Sequence, residues 1–208
     1  MIFSSSLLEN AVAQFAKLPG IGKKTALRLV LHLIKQDSSD VTQFSEAISR
    51  MREEIKFCSR CHNISDTQLC NICSNRSRKQ ELLCVVENIR DVIAIESTQQ
   101  FNGVYHVLGG IISPLDGVGP EQLNIDSLVA RMDNEGITEI IFALNANIQG
   151  DTTIYYISKR LKDFPVKITT IARGIAFGGE LEYADEMTLA RSISNRIPVE
   201  NYIVSGNK

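Results

Sequence analysis

Four of the five cysteines stand as two pairs, Cys58-x2-Cys61 and Cys70-x2-Cys73, separated by eight residues. Each Cys-x-x-Cys pair offers two thiolates from one tight turn, and two pairs complete a tetrahedral set of soft ligands for Zn²⁺. The surrounding segment, residues 57–80, is polar and aperiodic. Lacking an apolar core, it would take its folding energy from the metal. One structural zinc per chain is therefore expected. A redox dithiol would need a single pair at the start of a helix that follows a strand, a context missing here. His62 adjoins a ligand, but four thiolates already close the site, so it is expected at solvent or just behind them. Cys84 lies in an apolar run and reads as an inert core thiol.

A second chemistry begins at Leu18-Pro19-Gly20-Ile21-Gly22, followed by Lys23, Lys24 and Arg28. Free N–H groups at the start of the following helix can bind a phosphate, and the helix dipole favours that anion. Lys24 and Arg28 are one turn apart and share a face. The pattern resembles the helix-hairpin-helix DNA-binding motif, which contacts backbone without reading bases. Gly20, Gly22, Lys23, Lys24 and Arg28 are the expected DNA contacts, the glycines also allowing close approach to another backbone. An ordinary helix connection with solvated lysines is the alternative. A nucleotide P-loop is excluded: no strand precedes it, Lys17 stands where the first glycine belongs, and Lys24 replaces Ser/Thr.

A third group is acidic. Glu87 ends an apolar run and Asp91 lies one turn into the next helix, where open α/β sheets bind ligands. Asn145-Ala146-Asn147-Ile148-Gln149-Gly150-Asp151 follows a later apolar run in the equivalent position. For Glu87, capping of the helix is an equal alternative.

The elements that must hold these groups follow from periodicity. Leu7, Leu8, Ala11, Val12 and Phe15 recur at helical spacing until Pro19-Gly20, and a second helix runs from about Lys23 to Gln36. Ser38, Ser39 and Asp40 can cap a third, whose narrow stripe of Val41, Phe44, Ile48, Met51 and Ile55 suits a domain core or a partner helix. From Leu82 short apolar runs (Leu82–Val86, Val104–Leu108, Glu139–Leu144, Val166–Ile171) alternate with helices near Ile89–Ser97, Ile125–Glu135, Asp151–Lys162 and Asp185–Asn195. That alternation predicts an α/β fold with a mainly parallel sheet covered on both faces. The Gly- and Pro-rich stretch from Gly109 to Pro120 is of the length that often carries function.

Composition bounds the rest. With 208 residues, 44% hydrophobic and 22% charged, the chain has room for one large or two small domains and is not broadly disordered. Trp is absent and aromatics are 6%, so base stacking is not its main theme. Residues 1–80 hold 12 Lys/Arg against 7 Asp/Glu and residues 81–208 hold 10 against 17, giving +5 and −7, which sum to −2. A basic first part on an acidic scaffold fits a polyanion-binding module. No apolar run approaches the roughly 18 residues of a membrane span. Met1–Glu9 lacks the basic start of a secretory signal, so a cytoplasmic protein with no membrane partner is expected.

In combination these motifs closely resemble the bacterial RecR family of recombination mediators. Besides the hairpin and the four cysteines, the resemblance rests on Val85-Val86-Glu87-Asn88, Tyr105–Gly110, Ile112–Gly117 and Ile171-Ala172-Arg173-Gly174, and it covers almost the whole chain. It implies a helix-hairpin-helix module over 1–56, a four-cysteine zinc finger over 57–80, a Toprim domain over 81–175 and a C-terminal segment over 176–208. It also implies a non-enzymatic role in recombinational repair of gapped DNA with RecF and RecO, promoting RecA loading. Partner docking at Glu87 and Asp91 and assembly into a dimer or tetramer ring belong to the same expectation. Two segments depart from the family: Asn145–Asp151 replaces Asn-Pro-Thr-Val-Glu-Gly-Glu, and Ile175–Gly179 replaces Ile-Pro-Val-Gly-Gly. Toprim enzymes pair a strand-end Glu with an Asp-x-Asp motif to hold Mg²⁺, but here those positions are the neutral amides Asn145 and Asn147. A metal-dependent phosphoryl transferase and a zinc-stabilised adaptor without DNA affinity remain the competing classes.

Overall fold

Ser5 opens the first helix by accepting a hydrogen bond from the Leu8 amide, and α1 runs over Ser6–Phe15. Its Val12 packs on Ala26 and Val30 of α2 (Lys23–Ile34), with Leu8, Ala11, Phe15 and Leu27 around them. Helix α3 (Ser38–Glu54) begins one residue before the expected cap: Asp37 holds the extended cap position and its carbonyl accepts from Val41. Ser38, Ser39 and Asp40 are consequently inside the first turn. Of the two roles expected for the α3 stripe, a domain core or a partner helix, the first is not met among the described residues. The helix buries no residue, and Phe44, Ile48 and Met51 are each about half exposed.

The structure is a computed structural model and describes residues 3–175 and 178–199. The chain divides after Ile55 into two compact units. Of the C-terminal segment expected over 176–208, residues 176, 177 and 200–208 lie outside the described residues.

The second unit opens with a small antiparallel pair, β1 (Lys56–Phe57) and β2 (Ile64–Ser65), then the single turn α4 (Asn71–Ser74). A parallel four-stranded sheet follows: β3 (Lys79–Val86), β4 (Gly103–Val107), β5 (Glu139–Ala143) and β6 (Lys167–Thr170), in the order β4-β3-β5-β6. The first strand starts at Lys79, earlier than its apolar run. Helices α5 (Ile89–Ser97), α6 (Ile125–Asn134) and α7 (Ile148–Arg160) connect the strands, and α8 (Glu186–Ser194) comes last. Successive residues of β3 point to opposite faces. Leu83 and Val85 join Phe142, Leu128 and Ile157 in one core layer, while Cys84 and Val86 join Val92, Tyr105 and Val107 in the other. Both faces are buried along β4, most of β5 and the second half of β3, which is why those stretches read as apolar runs, whereas the edge strand β6 is largely exposed.

The order matters for function. Strand β3 connects outward to β4 on one side, and β5 connects outward to β6 on the other, so the chain reverses direction between β3 and β5. A crevice at the carboxyl ends of strands opens at such a point. Glu87 and Asn145 stand there.

Candidate nucleic-acid interface and metal centre

Gly20 has φ +76, a region that L side chains rarely enter, and it turns the chain from α1 into α2. No neighbouring backbone crowds it or Gly22; a Cβ at either would meet nothing within 4 Å. The expected close approach to another backbone is therefore absent within this unit. Gly22 caps α2 without a side chain, and the first helical bond runs from Ala26 N–H to its carbonyl at 2.9 Å. The amides of Lys23, Lys24 and Thr25 thus lack helical partners. No acid stands in that turn, and Lys23, Lys24 and Arg28 are all exposed. Beyond them the basic face continues. A groove of about 440 Å³ along α2 is lined by Lys24, Arg28, His32 and Lys35, with Leu27 and Leu31 as its floor. His32 and Lys35 escaped the sequence reading, although the steps of four from Lys24 to Arg28 to His32 are a legible helical stripe.

The four zinc-candidate sulfurs lie within 4.8 Å of one another, all buried, with those of Cys61 and Cys70 3.5 Å apart. A tetrahedron with Zn–S bonds of about 2.3 Å has edges of about 3.8 Å, so the spacing suits the ion. Each pair sits in a tight turn: His62 N–H bonds the Cys58 carbonyl at 2.9 Å and Cys73 N–H faces the Cys70 sulfur at 3.5 Å. Hydrogen bonds from Cys61 and Cys73 lower the Cys70 thiol, favouring its thiolate, while the bonds to Cys70 and Cys73 and burial raise that of Cys61. The cluster fits one structural zinc, with its sulfurs as the ligands. His62 is half-buried behind them, its Nε2 2.8 Å from the Ser127 hydroxyl. Cys84, deep in the sheet, has its thiol pushed up to about 12 by burial, in keeping with an inert core residue.

At the strand-end crevice Asn145 donates its amide to Glu87 Oε2 at 2.9 Å. Asn147 is the cap of α7, its Oδ1 accepting from Gly150 N–H at 2.8 Å. The helix accordingly starts at Ile148, three residues before the expected Asp151, and Gly150 is held small because a Cβ would strike the Asn145 carbonyl. Asp91 closes a capping box on α5, accepting from Asn88 N–H at 2.9 Å while Asn88 accepts from Arg90. Asp151, the one acid of its loop, turns to Arg173 at 2.5 Å. The sequence thus brings Glu87 and Asn145 together, while Asp91 and Asp151 are engaged elsewhere. Among the described residues, the four cysteines are the one cluster of potential ligands arranged to hold a metal.

Family models match along the chain: the RecR helix-hairpin-helix at residues 8–52, the RecR four-cysteine zinc finger domain at 55–75, a Toprim domain at 81–172 and the RecR C-terminal model at 174–197. A protein of Amoebophilus asiaticus named Recombination protein RecR is 58% identical over 95% of this chain and 98% of its own length. The chain belongs to the RecR family. Namesakes in Flavobacterium psychrophilum and Bacteroides thetaiotaomicron are 59% and 58% identical, covering 97% and 93% of this chain and 98% and 95% of theirs.

In this RecR-family chain the zinc module is fastened to the Toprim sheet by residues that the sequence reading missed. Arg60 grips Glu135 through two bonds of 2.8 Å and reaches Gln80 at 2.6 Å. Glu135 also pairs with Arg131, and both guanidinium groups favour its ionised form against burial. Arg131 is buried and donates to the Tyr105 carbonyl at 2.8 Å and towards His106 Nδ1 at 3.3 Å. The other ring nitrogen of His106 donates to the Asn124 carbonyl at 2.7 Å. Burial, then the Arg131 charge, pushes the His106 imidazole down to about 3, so it is neutral. The outer edge of β4 is thereby occupied along its length. Arg78 takes the Gly103 carbonyl at 2.8 Å, Arg131 takes that of Tyr105, and the Cys61 carbonyl accepts the Val107 amide at 2.9 Å. A usable signal was present: Arg131 continues the three-residue spacing of the buried Ile125 and Leu128.

Proposed function

We propose that the chain is a non-enzymatic DNA-binding mediator of recombinational repair. The observation carrying this reading is the uncapped, acid-free start of α2 with its exposed basic ridge. Gly20, Gly22, Lys23, Lys24 and Arg28 would meet the DNA backbone without reading sequence. Relatives bearing the name Recombination protein RecR support the process. By family resemblance the partners are RecO and RecF, the outcome is RecA loading on gapped DNA, and the compartment is the cytoplasm. No described helix is long and apolar enough to cross a membrane. The division of labour follows the modules: DNA contact over 1–56, metal-held folding over 57–80, a Toprim docking scaffold over 81–175 and a C-terminal segment over 176–208.

Two neutral amides support the absence of catalysis. Asn145 and Asn147 stand where Toprim enzymes place anionic Mg²⁺ ligands, and both are spent, one on Glu87 and one on a helix cap. Glu87 then serves partner docking, with Asp91 shaping the helix beside it. Self-assembly into a homo-oligomer uses the open stripe of α3.

Fluorescence anisotropy with gapped, duplex and single-stranded DNA across salt, with and without Mg²⁺, tests the reading. Steeply salt-dependent binding, unaffected by Mg²⁺ and without strand cleavage, is expected. Mg²⁺-dependent cleavage abolished by Glu87→Ala would make the protein an enzyme, and salt-insensitive or absent binding would make it an adaptor.

A further inference from the structure

A groove of about 920 Å³ lies in the second unit, walled by the end of β6, the first turns of α7 and the end of α8 with the residues after it. Its charge is unbalanced. Among the described residues Arg173, Arg191 and Arg196 line it and Asp151 is its one acid, a balance of +2 from three cations and one anion. Asp151 Oδ1 takes Arg173 at 2.5 Å, and Oδ2 is 3.7 Å from Arg191. Among the described residues Arg196 reaches only a neutral acceptor, the Ile193 carbonyl, at 3.3 Å.

Hydrogen bonding is unbalanced too. Three buried side-chain polar atoms among the described residues lack a hydrogen-bond partner, and two of them, Arg173 Nε and Ser192 Oγ, belong to residues of this groove. Buried donors left unmade are costly, so two around one groove, one after β6 and one on α8, need an explanation. The exposed ends of Arg191 and Arg196 suit an incoming oxyanion, since guanidinium forks match phosphate oxygens, and Arg173 Nε and Ser192 Oγ stand behind them as unspent donors. The space exceeds what a bare phosphate fills and lies within the range of small-molecule sites. Ile154, Ile171 and Ile197 give its remaining wall an apolar surface suited to a sugar and base.

We propose that this groove binds a nucleotide phosphate, with the guanidinium groups on the oxyanion and the base against the isoleucine wall. The site is separate from the hairpin and does not require it to bind DNA. A DNA strand and a free nucleotide present the same chemistry.

The full-length zinc-bound protein carrying Lys24→Ala and Arg28→Ala isolates the groove from the hairpin. It is titrated with inorganic phosphate, thymidine monophosphate and a short 5′-phosphorylated thymidine oligonucleotide, following the Arg173 Nε–H resonance and the affinity. A shift of that resonance is expected, with affinity lowered about tenfold in Arg191→Gln/Arg196→Gln, the loss of charge-assisted hydrogen bonds. Asp151→Asn, which frees both guanidinium groups, should tighten binding, whereas a merely structural carboxylate would not. Melting curves confirm that each variant is folded. Tighter binding of the oligonucleotide identifies a strand as the source, and tighter binding of the monophosphate identifies a free nucleotide. An unmoved Arg173 resonance, or equal binding of a short glutamate peptide, would overturn the proposal. Failure here leaves the hairpin reading standing, because that reading is tested with Lys24 and Arg28 intact.

Discussion

Asn145 changes what Glu87 can be. An aspartate at that position would set two carboxylates against each other and call for a cation; the amide instead donates a hydrogen bond and satisfies Glu87 without one. Asn145→Asp should therefore lower stability by about 1 kcal/mol in Mg²⁺-free buffer with the zinc retained and regain it in Mg²⁺, read as the urea midpoint. Equal midpoints with and without Mg²⁺ would mean that the amide is not standing in for a metal. On the hairpin, Lys24→Ala/Arg28→Ala should weaken DNA binding uniformly across sequences and reduce the salt slope by about 2. A loss confined to particular sequences would point to base readout. His106 sets a pH dependence. Its folded pKa, about 3, lies below the unfolded value of about 6.5, so the unfolded chain gains the proton first as pH falls. Stability from this group is complete above about pH 6.5 and is lost progressively between there and pH 3, by at most about 1.4 kcal/mol per pH unit. His106→Gln should flatten urea midpoints between pH 7 and 5 relative to the parent. Parallel pH profiles would show that the ring is not held neutral.

Among the elements, the zinc module is tied to strand β4 by the Cys61–Val107 bond and to helix α6 by His62–Ser127 and the Arg60–Glu135 clasp. Cys70→Ser should lose the metal and speed hydrogen exchange at the Val107 amide, while Cys84→Ser keeps the zinc. Full zinc occupancy in Cys70→Ser would contradict the four-thiolate site. Spacing alone revealed this centre because its ligands are neighbours in sequence. The parallel sheet was equally legible, since strands buried on both faces are mostly apolar, and α5 emerged with the bounds its periodicity gave. What stayed hidden joins residues far apart in the chain. Arg60 and Glu135 are 75 positions apart and leave no local pattern. The start of α7 was misplaced for a different reason. Asn147 looked like part of a loop motif, whereas its side chain was the helix cap.

For the whole molecule, the proposed assembly through the open face of α3 would tie oligomeric state to DNA affinity. Ile48→Glu should shift sedimentation towards a smaller species and reduce DNA binding more than any loss of basic residues explains, because an assembly presents several weak sites at once. Unchanged mass would remove α3 from the interface. The occupied edge of β4 bears on how the protein is made. An uncovered edge strand is a template for pairing with other chains. Cys58 to Cys73 are translated before Gly103–Val107, so a metal-loaded knuckle is already waiting when that strand leaves the ribosome. In a zinc-starved cell the Val107 end of the strand would emerge without the Cys61 carbonyl held ready to meet it. The shortage would then be felt as nascent chains lost to aggregates, well before any finished protein gave up its metal.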